Sequence, residues 1–133
     1  PDEEAVRYSG EIRKYTLQKN NLPVFDIVLL GLGEDGHTAS IFQGNTSSFR
    51  SENICEVAVH PVTGQKRITL TGKVINNSLD VIFLVTGKNK AGVAGSIINK
   101  GKTAVKYPAS FVAPHGGNLS WYLDREAGSL IRN

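Results

Sequence analysis

Apolar residues in the chain are concentrated in two short runs with little polar alternation. They cover residues 25–31 and 80–86, and a glycine closes each run. Continuous apolar runs of this length are typical of strands that are buried on both faces of a parallel sheet. Shorter strands are predicted over residues 56–60, 109–112 and 119–123.

Helical spacing of apolar residues predicts three helices around these strands. The first begins at Asp2, in an acidic segment that favours the positive end of the helix dipole, and it ends before Asn20. The second is capped by Asn89 and the third by Asp124. The predicted buried positions of the first helix are Ala5, Tyr8, Ile12 and Tyr15. Weaker helical segments are predicted over residues 37–42 and 73–78.

This alternation of strands and helices predicts a single α/β domain over residues 1–133. The expected architecture is a three-layer α/β/α sandwich around a mostly parallel sheet. In such sheets ligands bind beyond the carboxyl ends of the strands. Residues 31–37 and 87–90 both follow a predicted strand, so we expect the functional site there.

The composition narrows the class of protein. Hydrophobic residues make up 40% and charged residues 20% of the 133 residues, which is ordinary for a globular domain. The net charge of +3 comes from scattered residues, so no nucleic-acid partner is predicted, and no run is long enough to predict a membrane span. The acidic start is unlike a secretory signal, and Cys55 has no partner for an internal disulfide. We expect a cytoplasmic protein; no feature specifies an oligomeric state.

The segment at residues 31–37 carries the strongest candidate chemistry. Its three glycines allow the backbone to turn sharply and approach a ligand closely. An imidazole titrates near neutral pH and accepts a proton from water, and a carboxylate beside it orients the ring. A surface turn with an incidental histidine is the ordinary alternative. Because strand, glycines, carboxylate and imidazole coincide, we predict that His37 and Asp35 are catalytic.

The same glycines also fit a dinucleotide-binding pattern. Gly31, Gly33 and Gly36 match G-x-G-x-x-G after a strand. However, Glu34 and Asp35 would place two negative charges where a pyrophosphate binds, and the helix predicted to follow is short. We therefore expect no dinucleotide cofactor.

Two basic residues are candidates for binding an anion. Lys90 lies where a strand passes into a helix, and a cation there opposes the helix dipole by about 0.3–1 kcal/mol, which a bound anion would offset. An orientation into solvent is an equally good interpretation of Lys90 alone. Arg67 has the geometry to grip a phosphate, although a surface salt bridge is the more common fate of an arginine. No motif or cluster of metal ligands is recognised, so we predict no metal site.

Residues 25–42 resemble the signature of the 6-phosphogluconolactonase family, and the resemblance continues in residues 67–71, 83–91 and 121–124. It implies a Rossmann-like α/β/α sandwich. It also implies hydrolysis of 6-phosphoglucono-δ-lactone, a sugar-phosphate substrate, in the pentose phosphate pathway, with no metal or cofactor.

The resemblance also implies a role for each candidate residue. His37 would activate a water against the lactone carbonyl with support from Asp35, while Arg67 and Lys90 would hold the phosphate. Gly33 and Gly36 would line the substrate site, with backbone amides near the developing oxyanion. Family members usually carry a further N-terminal half with a loop rich in glycine and serine. We therefore expect this chain to be a C-terminal portion, with part of the sheet and site outside it.

Two alternatives stay open. The related glucosamine-6-phosphate deaminase branch follows its Asp-Gly-His turn with an Asn-Glu-Pro segment, whereas residues 42–45 here contain no glutamate. A non-catalytic domain that binds a sugar phosphate is an alternative of a different class.

Overall fold

A computed structural model describes residues 1–132. The strands are β1 (Leu17–Lys19), β2 (Leu22–Val24), β3 (Ile27–Leu30), β4 (Cys55–Val59), β5 (Lys66–Leu70), β6 (Asp80–Val85) and β7 (Asn118–Leu123). The α-helices are α1 (Asp2–Tyr15), α2 (Gly72–Ile75) and α3 (Ala91–Ile98), and 3₁₀ turns lie at Thr46–Arg50, Lys88–Lys90, Ala104–Lys106 and Pro108–Phe111. None of these helices combines the length and apolar character that crossing a bilayer requires.

A parallel sheet in the order β3-β6-β7 forms the centre of the fold. Leu30 lies opposite Phe83, and Phe83 lies opposite Trp121, whose ring stacks on it with the centroids 4.0 Å apart. Val93 of α3 and Ala127 of the C-terminal segment belong to the same buried cluster as these strands. The predicted α/β class with a Rossmann-like parallel sheet is confirmed.

A second apolar cluster joins α1 to the antiparallel β4–β5 hairpin and α2. Ala5 and Ile12 of α1 are buried in it, as predicted. Tyr8 and Tyr15 are exposed instead, because the hairpin covers only a narrow stripe of the helix. Phe25 and Leu70 pack against both clusters and so connect the two parts of the fold, although neither is fully buried.

Three predicted elements are wrong. Residues 37–42 form turns rather than a helix, since Thr38 donates its hydroxyl to the carbonyl of Gly31 and Ala39 has φ +50°. The predicted strand at residues 109–112 is part of the 3₁₀ turn Pro108–Phe111, where the Ser110 hydroxyl donates to the carbonyl of Tyr107.

The third wrong element is the last helix. Residues 125–130 form turns, and the Asp124 carboxylate accepts from the amides of both Gly87 and Ala127, so it anchors the chain to the end of β6. Asn89 does not cap α3 either. It lies in the preceding 3₁₀ turn, and Lys90 occupies the N-cap position.

The prediction that the strand at residues 25–31 is buried on both faces is also wrong. Val28 and Leu30 are buried, but Ile27 and Leu29 on the opposite face are 60% and 62% exposed. Exposed and buried side chains alternate along β3, so the apolar run contains an alternation that its composition conceals.

Candidate active site

The loop after β3 is closed by its own backbone. The amide of Gly33 donates to the carbonyl of His37 at 2.8 Å, and the amide of Gly36 donates to the carbonyl of Gly33 at 3.0 Å. The Thr38 hydroxyl donates to the carbonyl of Gly31 at 2.8 Å. These bonds fold residues 31–38 into a compact turn at the carboxyl end of the strand, where the sequence predicts the site.

Within this loop Asp35 and His37 form a hydrogen-bonded pair. Nδ1 of His37 lies 2.5 Å from Oδ1 of Asp35, and the His37 amide donates to the same oxygen at 3.1 Å. An ionised carboxylate only accepts, so Nδ1 carries the proton and Nε2 of a neutral ring keeps its lone pair. The pair therefore presents a proton acceptor on the far side of the imidazole.

The protonation state of Asp35 follows from two opposing effects. Partial burial raises the pKa of the carboxyl, but hydrogen bonds from the ring and amide of His37 outweigh it and hold the pKa below its ordinary value. Asp35 is consequently ionised at neutral pH and is able to stabilise a positive charge on the ring.

Gly33 is required by the geometry of this pair. A Cβ at residue 33 would lie 2.0 Å from Nδ1 of His37 and 2.7 Å from Oδ1 of Asp35. Any side chain there would occupy the space in which the carboxylate and the ring meet. Gly33 thus acts on the site by its lack of a side chain.

Gly36 has a different neighbour. Its φ is +82°, and a Cβ there would lie 2.3 Å from the Tyr107 ring, while its carbonyl accepts from the amide of Ala109. The amides of Gly33 and Gly36 both donate within the protein, so an oxyanion contact from this loop stays a prediction for the amides between them, those of Glu34 and Asp35. Gly36 instead allows residues 107–109 to pack beneath the loop.

Lys90 brings a positive charge to the loop from the start of α3. Its Nζ donates to the carbonyl of Leu32 at 2.5 Å. Next to Lys90, Asn89 donates to the carboxylate of Glu34. These two contacts join the loop after β3 to the loop after β6. The sequence did not predict that Lys90 and Asn89 contact Leu32 and Glu34, because a local pattern does not specify a contact between residues 55 or more positions apart.

His37 and Lys90 share a cavity of about 330 Å³. Its lining residues are Gly31, Leu32, Gly33, His37, Thr38, Ala39 and Lys90. Ala39 adopts a left-handed conformation, which is uncommon for alanine and is found preferentially at functional sites. The cavity therefore combines a base, an ammonium group and a strained backbone position.

Aromatic packing fixes the His37 ring from behind. The Phe42 ring is buried and lies 4.9 Å from the imidazole, and the His60 ring meets the edge of Phe42 at 5.2 Å. Sequence reasoning did not identify Phe42, although its position five residues after His37 on an apolar pattern was the available signal.

Arg67 does not line this cavity. It lies on β5, on the same face as Thr69, whose hydroxyl accepts from the amide of Ser40 near the loop. Its Nε donates to Gln65 at 3.1 Å. Of the six predicted site residues, the structure therefore places His37, Lys90 and Gly33 in the cavity, Asp35 behind the ring, and Gly36 and Arg67 outside it.

Other features of residues 1–132 offer less chemistry. A wider groove of about 690 Å³ lies between α1 and β4, but its side chains form no catalytic arrangement. No group of three or more His, Cys, Asp or Glu side chains in this part of the chain is placed to hold a metal ion. The loop at residues 31–37 remains the candidate active site.

Comparison with known proteins gives one consistent result. A family model described as Glucosamine-6-phosphate isomerases/6-phosphogluconolactonase matches residues 1–121. A 6-phosphogluconolactonase of Synechocystis sp. is 36% identical over 133 residues, which cover 99% of this chain and 54% of that relative. One from Treponema pallidum is 40% identical over 131 residues, covering 98% of this chain and 50% of the relative.

A solved structure agrees with these relatives. The 6-phosphogluconolactonase from Trypanosoma brucei superposes with a TM-score of 0.82 at 34% identity, over 94% of this chain and 51% of that chain. The chain thus spans about half the length of the curated relatives it matches.

Proposed function

The chain belongs to the glucosamine-6-phosphate isomerase/6-phosphogluconolactonase family, and on that premise we propose that it carries the catalytic base of a 6-phosphogluconolactonase. The observation that carries the proposal is the Asp35–His37 pair, held 2.5 Å apart beside a cavity shared with Lys90. A base and a cation in one cavity match the two needs of a phosphorylated lactone, which are an activated water and an anchor for the phosphate.

In the proposed reaction His37 Nε2 accepts a proton from a water molecule, whose oxygen bonds to the lactone carbonyl carbon. The bond from that carbon to the ring oxygen then breaks, and the imidazolium returns its proton to that oxygen. Asp35 stabilises the positive ring between these two transfers. One water is consumed, and the carboxylic acid that forms releases its proton to the solvent to give 6-phosphogluconate, with no metal or cofactor in the balance.

Lys90 is the proposed primary anchor for the substrate phosphate. Its bond to the carbonyl of Leu32 uses one of the three N–H donors of the ammonium group, and two remain for a ligand. Arg67 is the proposed second anchor. It lies outside the cavity, and within residues 1–132 its side chain makes one hydrogen bond, to Gln65, so its guanidinium is able to turn toward a bound anion.

The test is a comparison of two substrates. The protein is assayed alone and together with the part of the Synechocystis relative that the match leaves uncovered, which we call the complementary half. We expect hydrolysis of 6-phosphoglucono-δ-lactone above its spontaneous rate and no release of ammonia from glucosamine 6-phosphate.

Two results would contradict the proposal. Ammonia release without lactone hydrolysis would assign the chain to the isomerase branch. Binding of 6-phosphogluconate in a calorimeter, without turnover in either preparation, would favour a non-catalytic binding domain.

A further inference from the structure

Ala39 has a backbone conformation that its place in the fold does not explain. Its φ is +50°, in the left-handed region that favours glycine or asparagine. Within residues 1–132, the other positive-φ residue that is neither Gly nor Asn is Lys100, which directly follows the last turn of α3 and donates its amide to the carbonyl of Ile97. A left-handed residue is a common way to end a helix. Ala39 ends no helix, so its conformation has another cause.

Hydrogen bonds on both sides of Ala39 impose this conformation. Its neighbours Thr38 and Ser40 are both buried. The hydroxyl of Thr38 donates to the carbonyl of Gly31, and the amide of Ser40 donates to the hydroxyl of Thr69. Ala39 is therefore held between two fixed neighbours, while its own side chain stays exposed. A strained residue that its surroundings hold in place in this way is typical of a ligand site.

The exposed methyl group of Ala39 lies in the wall of the cavity that contains His37 and Lys90. Leu32, the other apolar side chain in this wall, is only 6% exposed, and Thr38 is 1% exposed. Ala39 also borders a second cavity of about 300 Å³ on the side of β5, but no side chain that lines it is charged. Ala39 thus gives an apolar contact to a cavity whose functional groups are an imidazole and an ammonium group.

We propose that Ala39 is a substrate-contacting residue, and that its methyl group packs against the C–H groups of a sugar-phosphate ligand. This inference rests on the proposed function of the cavity. A phosphorylated lactone presents a phosphate to Lys90 and a carbonyl to the water that His37 activates, and its carbon skeleton needs an apolar contact. A methyl group supplies that contact and leaves room for the ligand. Glycine would relieve the backbone strain but would lose the contact.

Ala39→Gly separates the backbone strain from the ligand contact. Because glycine adopts a positive φ without steric cost, the thermal midpoint Tm should rise by about 2–4 °C. The KM for 6-phosphoglucono-δ-lactone should rise by about fourfold with little change in kcat, since one buried methyl group contributes about that factor. Scanning calorimetry and steady-state kinetics on the protein with the complementary half measure both. A residue that served only the fold would change Tm and leave KM as it was.

Ala39→Asn tests where the side chain points. Asparagine tolerates a left-handed backbone, but its longer side chain would occupy the cavity, so the binding of 6-phosphogluconate should weaken by about tenfold or more. Gly44→Asn is the matched control, because Gly44 has φ +88°, no atom lies within 4 Å of a Cβ there, and it does not line the cavity. This control should bind like the unchanged protein. Calorimetry measures binding, and circular dichroism checks that both variants are folded.

Two outcomes would overturn the assignment of Ala39 alone. They are equal affinities of the unchanged protein and Ala39→Asn, and equal losses of affinity in Ala39→Asn and Gly44→Asn. Both are measured by binding, so they decide the assignment even if the lactone is not hydrolysed. A different result identifies a failure of the proposed function: the unchanged protein then neither hydrolyses the lactone nor binds 6-phosphogluconate, and the assignment of Ala39 falls with it.

Discussion

The glycine loop at residues 31–37 lines the candidate site, and strand β5 carries the proposed second phosphate anchor, Arg67, but the two are held in different ways. The loop is fixed from several sides by its own amides, by Lys90 at Leu32 and by the Tyr107 ring against Gly36. In the part of the chain that the structure describes, the side chain of Arg67 on β5 makes one hydrogen bond, to Gln65, and it stays outside the cavity.

This difference separates two tasks. In the proposed reaction, proton transfer needs a base within hydrogen-bond reach of its water, and the ring of His37 is already held by Asp35 without a ligand. Holding a phosphate tolerates a long, mobile guanidinium that approaches only when the anion is present. Four predictions test whether the loop supplies the base and the strand only a mobile phosphate contact. The kinetic measurements use the protein together with the complementary half.

The largest effect is expected for His37→Ala. Loss of the base should lower kcat by about 10²–10⁴-fold with little change in KM, because general base catalysis contributes that much. Steady-state lactone hydrolysis measures it, with the exposed His115→Ala as the control that keeps wild-type turnover. Unchanged turnover in His37→Ala would remove this residue from the mechanism.

Gly33→Ala tests whether the loop is held as tightly as its contacts indicate. The new methyl group would overlap the His37 ring and displace it, and a misplaced base lowers turnover by about 10²-fold. The matched control is Gly10→Ala in α1, where no atom lies within 4 Å, and it should gain about 0.5–1 kcal/mol of stability with full activity. Wild-type kinetics for Gly33→Ala would show that the loop accommodates the methyl group without displacing His37.

The two cations should differ in their effect on phosphate binding. Lys90→Ala removes a charged donor from the cavity and should weaken the binding of 6-phosphogluconate by about 10–100-fold. Arg67→Ala should weaken it by less than about fivefold, since an exposed ion contact contributes little. Calorimetry with gluconate as the unphosphorylated control measures both. A larger effect of Arg67 would mean that β5, rather than α3, supplies the main anchor.

The smallest effect concerns pH. The pKa of Asp35 is lowered in the folded protein, so the ionised carboxylate adds to the free energy of unfolding at every pH above the ordinary carboxyl pKa. This contribution is lost as the pH falls through the lowered pKa. An NMR titration of the Asp35 carboxyl should give a midpoint below 3.8, and His37→Ala should raise that midpoint. Equal midpoints in the two proteins would show that the ring does not stabilise the carboxylate.

Much of the fold was predictable because the decisive patterns are local. The runs at residues 25–31 and 80–86 contain β3 and β6, and α1 begins at Asp2 as predicted, although it ends at Tyr15 because Leu17–Lys19 form strand β1. The wrong elements are those in which a hydrogen bond between a side chain and the backbone replaces the conformation that the apolar pattern predicts. Residues 37–42 are held by the carbonyl of Gly31, and the segment after Asp124 is tied to Gly87.

The sequence by itself determined that a carboxylate and an imidazole two residues apart on a glycine turn would meet, since the covalent chain keeps such a pair within reach. Only the tertiary structure decided that Lys90 closes on Leu32, that Arg67 stays outside the cavity and that Leu29 faces outward. Those outcomes depend on how separate elements pack. Packing is set by the summed burial of many side chains, which no short stretch of sequence encodes.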